Sequence, residues 1–312
     1  MSRHVIGAAT DRGVKGVNED WVLAARWELA SNRGPVDYTL LLVLDGVTAG
    51  GGGQLASSTA GAAFVGTILR YLCHHYGEPP FNRKLSPRRI LQDAAHQAHL
   101  EIRGMNQRGN AFRNVSTTLV AALIHGPRMW YASVGDSRLY MRRDNAWVQL
   151  TRDHSIVARQ VELGVMTPEA AATSPDRHQI YNALGLASGF VCETGEMQVR
   201  EGDVVMACSD GVYECLDLAS AVASPPETAG GDLRPWCHAL VEAAYDAGSD
   251  DNLGVAACCL RELGELDVTL QPTVLQYGER WRPVDWPGGS GGTAVPAQRT
   301  VFPYGSDVIP DD

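Results

Sequence analysis

Apolar residues fall along this chain in short unbroken runs rather than in simple alternation. Tyr38 to Leu44 is one such run, and it stops on Asp45-Gly46. Val204 to Ser209 is another, and it stops on Asp210-Gly211. A third, Leu253 to Leu260, begins just after Asp251-Asn252. Runs of this length and β-branched content predict strands buried on both faces. A carboxylate at the tip of such a strand sits on the rim of a sheet, half shielded from water. Three such rims converging would repel one another unless a cation were present. The pattern therefore points to a carboxylate metal site built on strand ends.

Around these runs the pattern predicts further strands at 3–10 and 20–27, then a long proline-free helix from Gln54 to His75 with a small-residue face. Ser86-Pro87 offers a cap and a first-turn proline for a second helix reaching about Met105. Strands follow at Ser116–Ile124, Met129–Val134, Arg138–Arg143 and Ala146–Leu150, separated by turn-forming Gly126-Pro127, Gly135-Asp136 and Asp144-Asn145. Residues 153–164 read as a helix, Thr167-Pro168-Glu169 starts a short one, and 171–192 reads as a loop or flap. Strands return at 196–200 and 203–209, and Asp232 is expected to cap a helix that runs to about Ala247 and stops at Gly248. Strands in antiparallel-looking runs with helices in pairs between them make an α+β pattern, with two stacked sheets and helices outside. From residue 264 the character changes. The division expected is a domain over 1–263 and a Pro/Gly-rich tail over 264–312, whose Trp281 and Trp286 either pack back or form a docking segment.

Composition narrows the classes. A net charge of -10 argues against non-specific nucleic-acid binding and against an anionic membrane surface. No stretch approaches the apolar length needed to span a bilayer. Seven cysteines, an odd number with no C-x-x-C, read as buried free thiols in a reducing compartment. The expected location is cytoplasmic.

The acidic candidates are Glu19, Asp20, Asp45, Asp136, Asp210 and Asp251. Each alone has a plainer explanation, because Asp-Gly is first of all a turn dipeptide. Jointly that explanation weakens: three of them bound buried strands and Asp136 sits in a turn between two more. No cysteine or histidine stands beside them at a ligand-like spacing, which disfavours zinc. Oxygen ligands suit Mg²⁺ or Mn²⁺. Two such ions about 3.5–4 Å apart activate a water for in-line attack on phosphorus, and Lys15 would add a positive charge for phosphoryl oxygens.

The motifs, in order, are Gly13-x-Lys15-x-x-Asn18-Glu19-Asp20, Leu44-Asp45-Gly46, Ser116-Thr117-Thr118-Leu119, Ala132 to Tyr140, Leu150-Thr151-x-Asp153-His154-Ser155, Cys208-Ser209-Asp210-Gly211 and Asp251-Asn252. Their order and spacing resemble the type 2C metal-dependent Ser/Thr protein phosphatases, particularly the bacterial branch, over residues 5–261. The resemblance implies a four-layer α-β-β-α sandwich and hydrolysis of phosphoserine or phosphothreonine in proteins, opposing a Ser/Thr kinase. It implies that Asp45 bridges two ions, that the Gly46 carbonyl ligates one, and that Asp210 and Asp251 hold the other. Glu19 would act directly or through water, supported by Asp20, and Asp136 with Asp210 would offer a third, weaker position. The expected cofactors are Mn²⁺ or Mg²⁺. The expected partners are phosphorylated proteins and a cognate kinase, with no nucleic acid and no membrane, for a monomer.

Three departures stand out. Lys15 occupies the place of the family's phosphate-binding arginine. The loop Val47 to Gly53 is longer than usual and brings no histidine after Asp45-Gly46. Glu214 stands where an aspartate is common. The first two motivate a rival reading, a catalytically weak pseudophosphatase that binds a partner or phosphopeptide; a phosphatase of small phosphoesters is a third. His154 reads as a helix-capping residue or, alternatively, a general acid. Cys208 lacks the arginine of a cysteine-phosphatase loop, and neither Ser137 nor Ser209 lies in G-x-S-x-G.

Overall fold

The computed structural model describes residues 3–31, 34–47, 51–77, 86–108, 114–216, 225, 231–265 and 295–302. The chain begins with three strands, β1 (Arg3–Asp11), β2 (Asp20–Ser31) and β3 (Gly34–Val47), followed by helices α1 (Gly53–Gly77) and α2 (Pro87–Gln107). Next come β4 (Ser116–Thr117), β5 (Leu119–His125), β6 (Arg128–Val134), β7 (Arg138–Arg143) and β8 (Ala146–Gln149). Two short helices follow, α3 (Ile156–Glu162) and α4 (Pro168–Ala172), then β9 (Phe190–Gln198) and β10 (Val204–Cys208). The remaining elements are α5 (Asp210–Tyr213), α6 (Arg234–Asp246), β11 (Leu253–Glu262) and β12 (Val295–Phe302).

The strands form two sheets, ordered β1-β11-β10-β7-β8 and β12-β9-β6-β5-β3-β2, with β4 pairing the end of β3. Every pairing among them is antiparallel. The unbroken apolar runs now have a cause, since side chains alternate between faces and both faces are covered. On β3, Leu40, Leu42 and Leu44 face α1 and α2, where they meet Ala56, Ala60, Phe64 and Ile68. Leu41 and Val43 point the other way, into the layer between the sheets, against Met141, Val205, Ala207 and Cys258. Beyond the sheet of β1, β11, β10, β7 and β8, Val204, Met206, Val255 and Ala257 pack on Trp236, Leu240 and Ala244 of α6. The α-β-β-α order implied by the resemblance is the observed one.

Several boundaries differ from the sequence reading. Strand β9 begins at Phe190 rather than 196, inside the expected flap. Its polar residues hid it: Glu193 and Glu196 are buried, and their charges are met by Arg152 and Arg128. The expected strand 116–124 breaks at Thr118, between β4 and β5. Asp232 does not cap α6, whose first turn follows Leu233; the Asp232 carboxylate instead accepts from the Arg234 amide and guanidinium. The four-residue α5 was not anticipated. Within the tail, 295–302 pairs with β9 as an edge strand, where no regular element was expected. Trp281 and Trp286 lie outside the described residues. Among the described residues no helix is long and apolar enough to cross a membrane.

Candidate active site

The site is assembled from strand ends. The antiparallel register of β2 and β3 places Asp20 directly opposite Asp45. The backbone of Asp45 is gripped by the Ser-Thr-Thr motif. Its amide donates to Thr118 Oγ1 at 3.0 Å, and its carbonyl accepts from the Thr118 amide and the Thr117 hydroxyl, each at 2.8 Å. Asp20 Oδ2 accepts from Ser209 Oγ at 2.6 Å, and Ser209 Oγ accepts in turn from the Gly254 amide at 2.9 Å. Three strand ends are thereby tied around two carboxylates.

The glycines of the Asp-Gly pairs serve close approach rather than a turn. A Cβ on Gly46 would lie 2.4 Å from the backbone of Gly53, and one on Gly211 would lie 2.1 Å from the carbonyl oxygen of Asn252. The first contact brings the start of α1 against the end of β3. It is completed by Glu19, whose Oε1 accepts from the Gly53 amide at 2.8 Å and whose carbonyl accepts from the Gly46 amide. The second brings α5 against the turn that carries Asp251. Asn252 then fastens the Lys15 loop: its Nδ2 donates to the carbonyls of Arg12 and Val17, and its Oδ1 accepts from the Glu19 amide.

Acids gather within this frame. Asp20 and Asp136 are buried, and Asp45, Asp210 and Asp251 are half-buried. Burial pushes the Asp45 carboxyl well above the usual carboxylate range, and Asp20, Asp210, Asp136 and Asp251 push it further. Asp20 is raised to about 8 by burial and by Asp210, Asp251 and Glu19, against the opposing Ser209 hydrogen bond. Asp136 is raised by burial and Asp210, with Arg138 opposing. The close cation on this rim is Lys15, whose Nζ lies 3.5 Å from Asp251 Oδ2 at the half-exposed edge. Among the described residues, Lys15 and an Arg138 already paired with Asp153 leave five carboxylates short of positive charge, and Asp20 Oδ1 is a buried oxygen with no hydrogen-bond partner. The donor set fits hard divalent cations.

The structure thus brings Asp45, Gly46, Asp136, Asp210, Asp251 and Lys15 together. Glu19 is present too, but one of its oxygens is committed to the α1 amide. Asp20 is more central than its expected supporting place. A histidine that the sequence spacing did not single out also lies near these acids. His178, from the segment after α4, places Nδ1 3.9 Å from Asp210 Oδ2 and 3.4 Å from Glu214 Oε1. Among the described residues, His178, Asp210 and Glu214 each offer a ligand atom within 4.8 Å of the others'. The Asp210 carboxylate beside it raises the His178 pKa, while burial raises that of Glu214. No local spacing could have disclosed this, since the flap comes to α5 from far along the chain.

The nucleophile alternatives find no geometry. Cys208 is buried within β10 with its thiol pushed up to about 12 by burial. Ser209 is committed to Asp20, and Ser137 to Thr118 at 2.7 Å. His154 does not cap α3 either: Ser155 does, accepting from the Ala158 amide.

Comparison with known proteins gives the same answer. The family model for protein phosphatase 2C matches residues 29–253. The protein phosphatase PhpP of Streptococcus pneumoniae is 27% identical over 230 residues, covering 72% of this chain and 87% of that protein. The serine/threonine protein phosphatase PstP of Mycobacterium tuberculosis is 30% identical over 254 residues, 80% of this chain and 43% of PstP. The solved PstP catalytic domain, in complex with two manganese ions, superposes with a TM-score of 0.63 at 26% identity over 83% of this chain and 99% of that domain. With the strand-end acids, the Ser-Thr-Thr grip and the stacked sheets already in place, the chain belongs to the protein phosphatase 2C family.

Proposed function

We propose that this metal-dependent serine/threonine protein phosphatase works through the strand-end acids, with Asp45, Asp210, Asp251 and the Gly46 carbonyl as the principal metal-holding groups. Asp20, opposite Asp45 in register and carrying an unpartnered buried oxygen, joins that set. Asp136 contributes to a third, weaker position, and Glu19 chiefly orients the loop and the start of α1. The observation that carries this reading is the convergence of Asp20, Asp45, Asp136, Asp210 and Asp251 on one rim, with Asp20 opposite Asp45 in register and an unpartnered Asp20 oxygen; burial and neighbouring carboxylates raise Asp20, Asp45 and Asp136 there. Such a constellation costs stability when empty and is relieved by cations. When bound, Mn²⁺ or Mg²⁺ supplies the charge and the activated water for attack on phosphorus. Lys15 draws the phosphoryl group to the open edge as a point charge, where arginine would grip it bidentately.

The pseudophosphatase alternative gains no support: Asp45, Asp136, Asp210 and Asp251 all stand on the rim, and the relatives are named as phosphatases. The substrates are phosphorylated proteins, and the reaction opposes a Ser/Thr kinase in signalling. A cytoplasmic monomer with its catalytic unit in 1–263 and a tail over 264–312 is the organisation we favour. Hydrolysis of a phosphothreonine peptide by the full chain, with Mn²⁺ and after chelation, tests the assignment. Chelator-resistant turnover by exhaustively demetallated protein contradicts it.

A further inference from the structure

The Gly135-Asp136 turn joins β6 to β7 and aims Asp136 at the acid cluster. Gly135 has φ +99°, and a Cβ there would lie 2.7 Å from the Thr118 methyl, so the turn lies flush on the residue that grips Asp45. Its other side rests on His154. The Gly135 amide donates to His154 Nδ1 at 3.0 Å, and the His154 amide donates to the Gly135 carbonyl at 2.9 Å. The Asn182 side-chain amide also donates to Nδ1, at 2.8 Å, and both ends of that amide are fixed by the backbone of Val191. Two N–H donors converge on Nδ1, so that nitrogen carries the lone pair and the ring proton sits on Nε2. Nε2 faces Glu193 Oε1 at 3.4 Å without a formed hydrogen bond, and Arg152 donates to that same oxygen at 3.1 Å. The His154 carbonyl accepts from the Tyr181 amide at 2.9 Å. The ring is 1% exposed.

We propose that His154 is a positioning residue: by accepting from Gly135 and Asn182 on one nitrogen and turning its N–H to Glu193, it fixes the turn that aims Asp136 and ties that aim to the flap. This rests on the reading of Asp136 as part of the metal-holding set. It removes His154 as a general acid, since neither ring nitrogen faces the acid cluster or solvent. The ring works because its two nitrogens play opposite parts. A leucine would leave the Gly135 amide without its acceptor, while Asn182 keeps Val191 and Glu193 keeps Arg152, whereas an asparagine keeps an acceptor oxygen near the place of Nδ1. Such supporting contacts to ligand residues are worth about 10- to 100-fold in metal affinity.

The test uses the full chain and Mn²⁺ alone. Long-range ¹⁵N correlation on the metal-free wild-type protein reads the tautomer directly: the proton on Nε2 is expected, and a proton on Nδ1 overturns the proposal. Calorimetric titration with Mn²⁺ then compares wild type, His154→Leu, His154→Asn and Asp136→Asn. The leucine variant is expected to weaken the loosest Mn²⁺ by about tenfold or more, with asparagine recovering most of the loss. A folded His154→Leu that binds all its Mn²⁺ as wild type does, while Asp136→Asn does not, overturns the part given to His154. Wild-type binding by Asp136→Asn overturns the reading of Asp136 instead. If the leucine variant fails to fold, the tautomer decides: a proton on Nε2 supports the proposal and a proton on Nδ1 overturns it.

Discussion

Asp20 shows how a single carboxyl records the function in the stability of the empty protein. Its carboxyl is held near 8 in the fold against 3.8 for an exposed aspartate. The folded chain therefore keeps a proton that the unfolded chain has released. This contribution to stability is fully present below about pH 4 and is lost as pH rises through about 8. The metal-free protein should show a Tm that falls between about pH 5 and pH 8 in thermal unfolding, and Asp20→Asn should flatten that fall. At neutral pH Asp45→Asn should raise the metal-free Tm by relieving repulsion while nearly abolishing turnover; near wild-type activity in the folded variant would contradict its assigned part. Lys15→Ala should lose very roughly ten- to a hundredfold in kcat/KM, the worth of one charged contact to phosphate, with Lys15→Arg equal to wild type or better. At this scale Asp45, Asp210 and Asp251 were legible because each bounds an apolar run. Asp20 was read as a support; its place opposite Asp45 and its bond to Ser209 depend on strand register and distant residues, neither of which is local. His178 was missed because it stands in a segment without periodicity.

At the scale of elements, the site depends on one close contact between the end of β3 and the start of α1. Gly46→Ala places a methyl group within 2.4 Å of the Gly53 backbone, so α1 must retreat from β3 and loosen the Glu19 clamp. A displacement of about 1 Å at a reacting centre can cost on the order of a hundredfold in rate. Gly46→Ala should accordingly fold, by circular dichroism, yet lose most of its activity. The turn-dipeptide explanation of the Asp-Gly pairs does not hold at Gly46 and Gly211, where the glycine is needed because another backbone lies against it. The apolar runs disclosed the strands themselves, since both faces of β3 are covered. The runs were silent on β9, whose buried glutamates are matched by arginines from other segments.

The whole molecule keeps its site at one end of the sandwich and its tail strand at the opposite edge of the second sheet, with β9, β6 and β5 between β12 and β3. Removing residues 266–312 should leave hydrolysis of a short phosphopeptide largely intact. It would also expose the edge of β9 and so favour self-association on sizing columns. Loss of peptide turnover in a monomeric truncated protein would show that the tail supports catalysis. The layer order was legible from the sequence because antiparallel runs and paired helices leave few other ways to bury every apolar face. The edge strand 295–302 was not, because it is held by pairing with β9 rather than by any periodicity of its own. The most direct test of the central claim is the rate of phosphothreonine-peptide hydrolysis by the full chain before chelation, after exhaustive metal removal, and after Mn²⁺ is restored, with Asp45→Asn alongside. The account predicts turnover that vanishes on removal, returns with Mn²⁺, and stays absent in the variant at any Mn²⁺ concentration. Undiminished turnover in the demetallated protein, or in folded Asp45→Asn, would contradict it.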